Sequence, residues 1–415
     1  MARRSGTADL PLHGGHVPRW LSERMARLGR VIIEAIHLHY GRQEVLRRLS
    51  HPFWFQAFGA VMGMDWHSSG ITTSVIGALQ RGLAPVEDEL GIFVRGGRGA
   101  RSRSTPEELL ALGERLGLDG AALARTSRLV AKVDSALVQD GHQLYLHAFI
   151  AAADGAWSVV QQGMNPALRQ ARRYHWRSEG LRSFVDDPHQ GIDGQPAGEI
   201  INLADRRAQA SRSAQLSWVH LGPDAILREL AAIADPRDEP LPQLSLPHHH
   251  EVRAEDVSMR RLRGALAAAA EAGPETYEAL ALVPGIGART LESLALVAEV
   301  THGAPHRFTD PARFSAAHGG KDGHPFPVPL AVYDDTIRVL KSAVERAKLG
   351  QDDKLAALQR LDQRARALES PAGPTWDEHV ADERAAAARR GGKTVFDAPK
   401  GARKAAKKKQ LGLFE

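Results

Sequence analysis

Gln143-Leu144-Tyr145-Leu146-His147-Ala148-Phe149-Ile150 and Ala156-Trp157-Ser158-Val159-Val160-Gln161-Gln162 face each other across Asp154-Gly155. Both runs are aromatic and β-branched, and Asp-Gly supplies the positive φ of a tight antiparallel turn, so the stretch predicts a β-hairpin. The chain on either side keeps a helical period. Together these features set the fold expectation: mainly α, with a small central β-hairpin or mixed α+β region.

Upstream, Leu21, Met25, Leu28, Val31, Ile32 and Ile36 recur near the 3.6-residue period, which predicts helix within 18–50. Residues 95–103 carry four Arg, three Gly and no acid, and read as a loop. Thr105-Pro106-Glu107-Glu108 reads as a helix start, with Thr as N-cap, Pro at N1 and acids in the first turn; two helices fill 106–138. Downstream, 223–234 is helical, 235–250 is a Pro-rich linker with a His triplet, and 258–350 is mostly helical. A polar helix at 351–370 and a low-complexity segment at 371–409 follow. Shifts in composition divide the chain into an N-terminal helical region (1–104), a central α+β region (105–240), a helical domain (241–350) and a tail (351–415).

The 415 residues include no cysteine, which excludes disulfides, thiolate metal sites and a thiol nucleophile. A hydrophobic share of 43% is enough for a globular core and excludes wholesale disorder. The N-terminus lacks the apolar core of a secretory signal and no apolar run is long enough to span a bilayer, so no membrane partner is expected and the location is read as cytoplasmic, nucleoid-associated. The net charge of +5 is unevenly placed: residues 381–415 hold ten Lys/Arg and four Asp/Glu, a net of +6, leaving −1 for the rest. Such a tail is expected to be disordered and to seek a polyanion or a protein partner.

In the body, Thr276 to Val300 places two apolar helical stretches around Pro284-Gly285-Ile286-Gly287. This resembles a helix-hairpin-helix DNA-binding module. The glycines let the backbone turn tightly and approach a phosphate, Ile286 plugs the hairpin, and the second helix offers its N–H groups and positive dipole end. Such contacts position DNA without reading its sequence. Relatives of the motif often carry Lys after the second Gly; here Ala288 stands there and Arg289 is the nearest cation. The continuation Phe308-Thr309-Asp310-Pro311-Ala312-Arg313-Phe314 to Gly319-Gly320-Lys321 is similar to the C-terminal part of Piv-type transposases, without their catalytic half. Asp310 has two readings: the catalytic Asp of a helix-hairpin-helix glycosylase, or an N-cap with Pro at N1, which the local pattern favours.

The chain ends Gln410-Leu411-Gly412-Leu413-Phe414-Glu415. This resembles the peptide with which bacterial replication and repair proteins bind the sliding clamp. Leu413 and Phe414 would fill an apolar pocket, Leu411 would pack beside them, and Gln410 would hydrogen-bond at the rim. A tail folded back on the body is the alternative.

Catalytic candidates cluster around the hairpin: Asp134, Asp140, His142, Tyr145, His147, Gln161 and Gln162, followed by Arg172, Arg173, Tyr174, His175 and Trp176. Residues at i and i+2 of a strand share a face, so Gln143, Tyr145 and His147 are expected to line one cleft, with Asp140 holding a divalent metal, Mg²⁺ or Mn²⁺. Asp140, His147 and Gln162 are the expected catalytic set, and Arg172 and Arg173 the expected DNA contacts beside the helical module. The arrangement is similar to nuclease cores; Gln161-Gln162 stand where such cores carry a second acid and a Lys. A half-buried hairpin with polar edges is the plainer alternative. Asp65, His67, Ser68 and Ser69 form a second cluster, either a Ser/His nucleophile or, as the reading favours, caps at Asp65 and Ser68; His248, His249, His250 and Glu251 are either metal ligands or, as the Pro-rich linker favours, a solvated run.

Taken whole, the chain resembles the domain of unknown function family 763, on Pro52-Phe53-Trp54-Phe55-Gln56, Trp66-His67-Ser68-Ser69-Gly70, Val138-Gln139-Asp140-Gly141, Val160-Gln161-Gln162-Gly163-Met164-Asn165 and His318-Gly319-Gly320-Lys321-Asp322-Gly323. That resemblance implies little chemistry. The expected function is a DNA-binding genome-maintenance protein tethered to the sliding clamp. Three forms of it compete: a metal-dependent DNA nuclease, a DNA glycosylase or lyase, and a non-enzymatic adaptor.

Overall fold

A computed structural model describes residues 19–64, 70–168, 170–233 and 259–313, with short pieces at 10–11, 13–14, 338–342, 344–346 and 393–394 and single positions 355 and 359. The order begins with two short strands, β1 (Leu10–Pro11) and β2 (His13–Gly14), then α1 (Arg19–Tyr40), α2 (Arg42–Leu49), α3 (Pro52–Val61), α4 (Gly70–Leu83) and α5 (Glu87–Leu90). Next come β3 (Ile92–Arg98), α6 (Ala100–Arg103), α7 (Thr105–Leu116), α8 (Gly120–Lys132) and a π-helical turn (Val133–Leu137). The strands β4 (Val138–Gln139), β5 (Gln143–Ala152), β6 (Trp157–Asn165), β7 (Gln170–Arg177), β8 (Gly191–Asp193) and β9 (Glu199–Asn202) follow. The described chain continues with α9 (Gln209–Leu221), α10 (Pro223–Ile233), α11 (Met259–Ala272), α12 (Tyr277–Leu282), α13 (Ala288–His302), β10 (Arg307–Thr309) and β11 (Lys393–Thr394).

The expected hairpin is there, as β5 and β6, but it sits in the middle of a larger sheet. Six strands pair antiparallel in the order β1-β7-β6-β5-β3, with β8 also on β7. The stretch expected as an Arg/Gly loop supplies an edge strand instead: β3 pairs with β5 from Ile92↔Ala152 to Arg98↔Leu146, and α6 follows. Arg95 is held there by Glu87 at 2.9 Å. A second sheet runs β10-β9-β4, and β11 pairs with β2.

Alternation along the strands gives the large sheet two buried faces. Ile92, Val94, Ala148, Ile150, Ala152 and Val160 pack against α1–α4 in one core. Phe93, Phe149, Ala151, Trp157, Val159, Tyr174 and Trp176 pack against α7–α13 in the other. Each core crosses a boundary drawn from composition: the first joins helices before 104 to β5 and β6, and the second joins residues on both sides of 240.

Local chemistry explains several helix ends. Gly41, at φ 83, separates α1 from α2. His51 caps α3, its Nδ1 accepting from Trp54 N at 3.2 Å, with Pro52 opening the helix. Helix α7 begins at Thr105 itself, with Ser104 as the capping residue and Pro106 in the first turn. α1 and α4 pass so closely that a Cβ on Gly82 would lie 2.3 Å from Ala26 O.

Candidate functional site

The helical hairpin is built as its spacing requires. Thr276 caps α12, accepting from Ala279 N at 3.2 Å. The chain then turns through Val283–Gly287, where Ile286 N donates to Val283 O at 3.1 Å and the Ile286 side chain is buried in the second core. Gly285 has φ +86, a conformation that suits glycine, whereas Gly287 is extended at φ −137 and caps α13 with no side-chain bond. Pro284, Gly285 and Arg289 are exposed, and a Cβ on Gly287 would meet nothing within 4 Å. The protein holds the turn by its carbonyls: Lys132 Nζ donates to Ile286 O at 2.6 Å and Gln139 Nε2 to Ala288 O at 2.9 Å. Burial pushes the Lys132 ammonium's pKa down. An α-helix leaves its first N–H groups without intrahelical acceptors, and at α13 they open beside an uncrowded glycine.

The expected catalytic set does not assemble. A bulge between Leu144 and Leu146 breaks the alternation of β5, so Tyr145 packs on the α1–α4 side while His147 points to the other. Burial pushes the Tyr145 phenol up to about 12. Gln162 shares the α1–α4 side with Val160, and among the described residues neither polar atom of its amide has a hydrogen-bond partner; nor do Ser158 Oγ and Trp54 Nε1 on that side. Two strand-neighbours, His147 and Gln161, do meet, through His147 Nδ1 and Gln161 Oε1 at 2.7 Å.

Asp140 is not placed to hold a metal. Its Oδ2 accepts from Arg172 Nη1 at 2.7 Å and from the Tyr174 hydroxyl at 2.6 Å, and its Oδ1 from His142 N at 2.9 Å. Burial pushes its carboxyl up, but Arg172, His142 and Tyr174 overcome this and hold its pKa below the usual carboxylate range. Arg172 also forks onto Asp310, at 3.2 and 2.7 Å. Asp310 in turn accepts from Ala197 N at 2.7 Å and Ala312 N at 2.9 Å. Asp310 is therefore neither a helix cap nor a solvent-facing acid: it is buried, and residues 311–313 after it are not helical. Arg172 and Arg173 are both fully buried, so neither is a DNA contact. Arg173 lies on the α1–α4 side, bonded to Asp193 at 2.5 Å and His175 at 2.8 Å with its guanidinium 5.0 Å from the Phe55 ring centre. Strand alternation sends these two neighbouring arginines to opposite faces, and each meets a carboxylate there.

A second buried network was only half visible in the sequence. Asp134, in the π-helical turn, accepts from Gln161 Nε2, from Trp176 Nε1 at 2.9 Å and from His189 Nε2 at 2.6 Å. Because Gln161 turns its NH₂ to the carboxylate, its Oε1 must accept from His147 Nδ1–H. His147 Nε2 then accepts from the Ser127 hydroxyl at 2.8 Å. Burial drives the His147 pKa down to about 4, so the ring is neutral at pH 7. The same burial pushes Asp134 up, against His189, Trp176 and Gln161. Asp134 stood among the candidates; Ser127 and His189 did not. No spacing rule joins them, because helix α8 and the loop before β8 meet the sheet only in three dimensions.

Among the described residues no three His, Asp or Glu side chains converge as a metal site, and no helix is long and apolar enough to cross a membrane. Residues 65–69, 248–251 and 410–414, with their candidate caps, histidines and clamp peptide, lie outside the described residues. Neither a curated protein nor a solved structure matches the chain. The profile of the family described as protein of unknown function (DUF763) matches residues 6–328, and the chain belongs to that family.

Proposed function

We propose that the protein binds DNA through the α12–α13 hairpin, in genome maintenance close to the nucleoid, and reaches the bacterial sliding clamp with its C-terminal peptide. The observation that carries the reading is the turn Val283–Gly287: an exposed Pro-Gly corner, a buried Ile286 plug, and an extended Gly287 opening the uncapped N-terminus of α13. A phosphate can approach that glycine, and Arg289 stands exposed in the first turn of the helix. The glycosylase alternative loses its acid, since Asp310 is locked to Arg172. The metal-dependent nuclease reading loses its ligand at Asp140. A hydrolase acting elsewhere on the chain stays compatible with the hairpin.

The test is duplex binding by fluorescence anisotropy across salt concentrations. Gly287→Val adds bulk where nothing crowds it, so the variant should fold and bind all duplexes about tenfold more weakly, with a shallower salt dependence. Binding equal to wild type would remove the hairpin as the DNA contact. The clamp reading has its own assay. A peptide of residues 400–415 should bind the purified clamp with micromolar affinity, about −8 kcal/mol. Replacing Leu413 and Phe414 with Ala should abolish this, since apolar anchors carry such docking. Equal binding by the double-Ala peptide would end the clamp assignment.

A further inference from the structure

His189 is fixed on one side by a carboxylate and lines a cavity. Asp134 Oδ1 takes its Nε2 at 2.6 Å, the Trp176 ring lies 4.4 Å away and the Tyr174 ring 6.2 Å away. An acceptor-only carboxylate requires the hydrogen on Nε2, which leaves the lone pair on Nδ1. Nδ1 makes no hydrogen bond among the described residues, and His189 lines a cavity of about 590 Å³ with Arg182, Ser183, Asp186, Asp187 and Arg206. A buried carboxylate bonded to one nitrogen of an imidazole, in a residue that lines a cavity, is an arrangement that can orient a base and stabilise its protonated form.

The charges around the cavity balance, and its ion pairs leave one lining cation over. Arg212, itself buried, neutralises Asp186. Asp187 accepts from Arg206 N at 3.2 Å and sits 3.5 Å from its guanidinium. Arg182 is exposed and makes no ion pair among the described residues, so it is the cation left for a ligand. Asp187 is also the one described non-glycine residue with positive φ, at 48°, and it bends the chain into the wall of the cavity. The segment that carries Asp134 is the π-helical turn directly after Lys132, and Lys132 and Gln139 grip the hairpin carbonyls on either side of it. One short segment therefore holds both the hairpin and the dyad, and π-turns recur at functional sites.

We propose that this cavity is a hydrolytic site for phosphodiesters, in which His189 Nδ1 takes the proton of an attacking water and Asp134 is its positioning residue. The choice of substrate class rests on the DNA-binding reading of the hairpin. The water oxygen bonds to phosphorus as its proton passes to Nδ1. The bond from phosphorus to one sugar oxygen breaks, its electron pair leaves on that oxygen, and solvent protonates it. The imidazolium then returns its proton to solvent, leaving a phosphomonoester and an alcohol. Arg182 faces the charge that gathers on the non-bridging oxygens.

The test uses the full-length protein with bis(4-nitrophenyl) phosphate and with labelled single-stranded, duplex and flapped DNA, each in Mg²⁺, Mn²⁺ or EDTA. Wild type should hydrolyse the small diester, and His189→Gln should lower the rate at least ~100-fold while keeping the wild-type circular dichroism spectrum. Asp134→Asn should retain part of the rate and shift the midpoint of its pH profile, because the imidazolium loses its counter-charge; Arg182, Asp186, Asp187 and Arg206 in the cavity wall, and Tyr174 and His175 beside the pair, stay constant in the comparison. Equal rates for wild type and a folded His189→Gln would overturn the proposal, as would no hydrolysis of any substrate by wild type. Duplex binding by the same preparation separates the two readings. A protein that binds duplex yet hydrolyses nothing refutes the dyad alone, and one that cleaves the small diester without binding duplex refutes the hairpin alone.

Discussion

Asp134 and Asp140 lie six positions apart, both buried, and their surroundings differ in one respect. Asp140 faces a guanidinium that stays charged at any working pH, shared with Asp310, and nothing in that cluster opens to solvent. Asp134 faces the imidazole of His189, a residue that borders a cavity. The first arrangement fastens β7 to the segment after β10, tying segments far apart in sequence. The second is the pair that the proposal above puts to work on a proton. A buried carboxylate is a structural clamp or a chemical group according to what it is paired with, and burial alone does not say which.

The contrast breaks most visibly at Arg172. Arg172→Met leaves Asp140 and Asp310 as unpaired buried carboxyls, so the expected loss is about 3–5 kcal/mol of stability, read as a lower denaturant midpoint. A loss under about 1 kcal/mol, the worth of an exposed pair, would show that the cluster is not a clamp.

The Asp134 side is sharpened by pH. His147 has a folded pKa of about 4 against an ordinary value of 6.5. The unfolded chain therefore binds more protons between these values, so this contribution is fully present above pH 6.5 and is lost as pH falls through about 4. Its size is on the order of 3 kcal/mol. His147→Gln should flatten the stability profile across that window. His306, also held near 4 by burial and by Arg307, supplies a slope that the variant keeps. An unchanged profile would mean that the ring is not buried neutral. Asp140, with its pKa depressed, adds a loss only further into acid, below the unfolded carboxylate value.

The smallest effect belongs to the hairpin. Gly285→Val forces a branched residue to φ +86 and should cost about 1–2 kcal/mol, whereas Gly287→Val at φ −137 should stay within about 0.5 kcal/mol of wild type. Chemical denaturation of the pair checks this. Equal losses would mean that the two glycines have the same structural role, and would cloud the use of Gly287 as a binding probe.

Much of this was legible from residue order. Asp154-Gly155 between two β-rich runs fixed the hairpin, and Thr276 with Pro284-Gly285-Ile286-Gly287 fixed the helical turn, because both are short-range and set by φ preference and capping. Arg95–Arg98 misled: a glycine- and arginine-rich run reads as a loop, and it became a strand because β5 offered an edge and Glu87 a partner for Arg95. The shared face of Gln143, Tyr145 and His147 failed for a local reason, the bulge at Tyr145.

The sequence by itself determined several helices, among them α1, α7, α8, α10 and α13, together with the central hairpin and its Asp-Gly turn, since those outcomes depend on neighbours a few residues apart; α3, α6 and α9 were not read from it. Only the tertiary structure decided the chemistry. It chose which of Arg172 and Arg173 meets which carboxylate, closed Asp140 with Asp310, and brought His189 to Asp134 and Ser127 to His147. Those pairings depend on how helices dock on the two faces of the sheet, and desolvated charges take whichever partner the docking supplies.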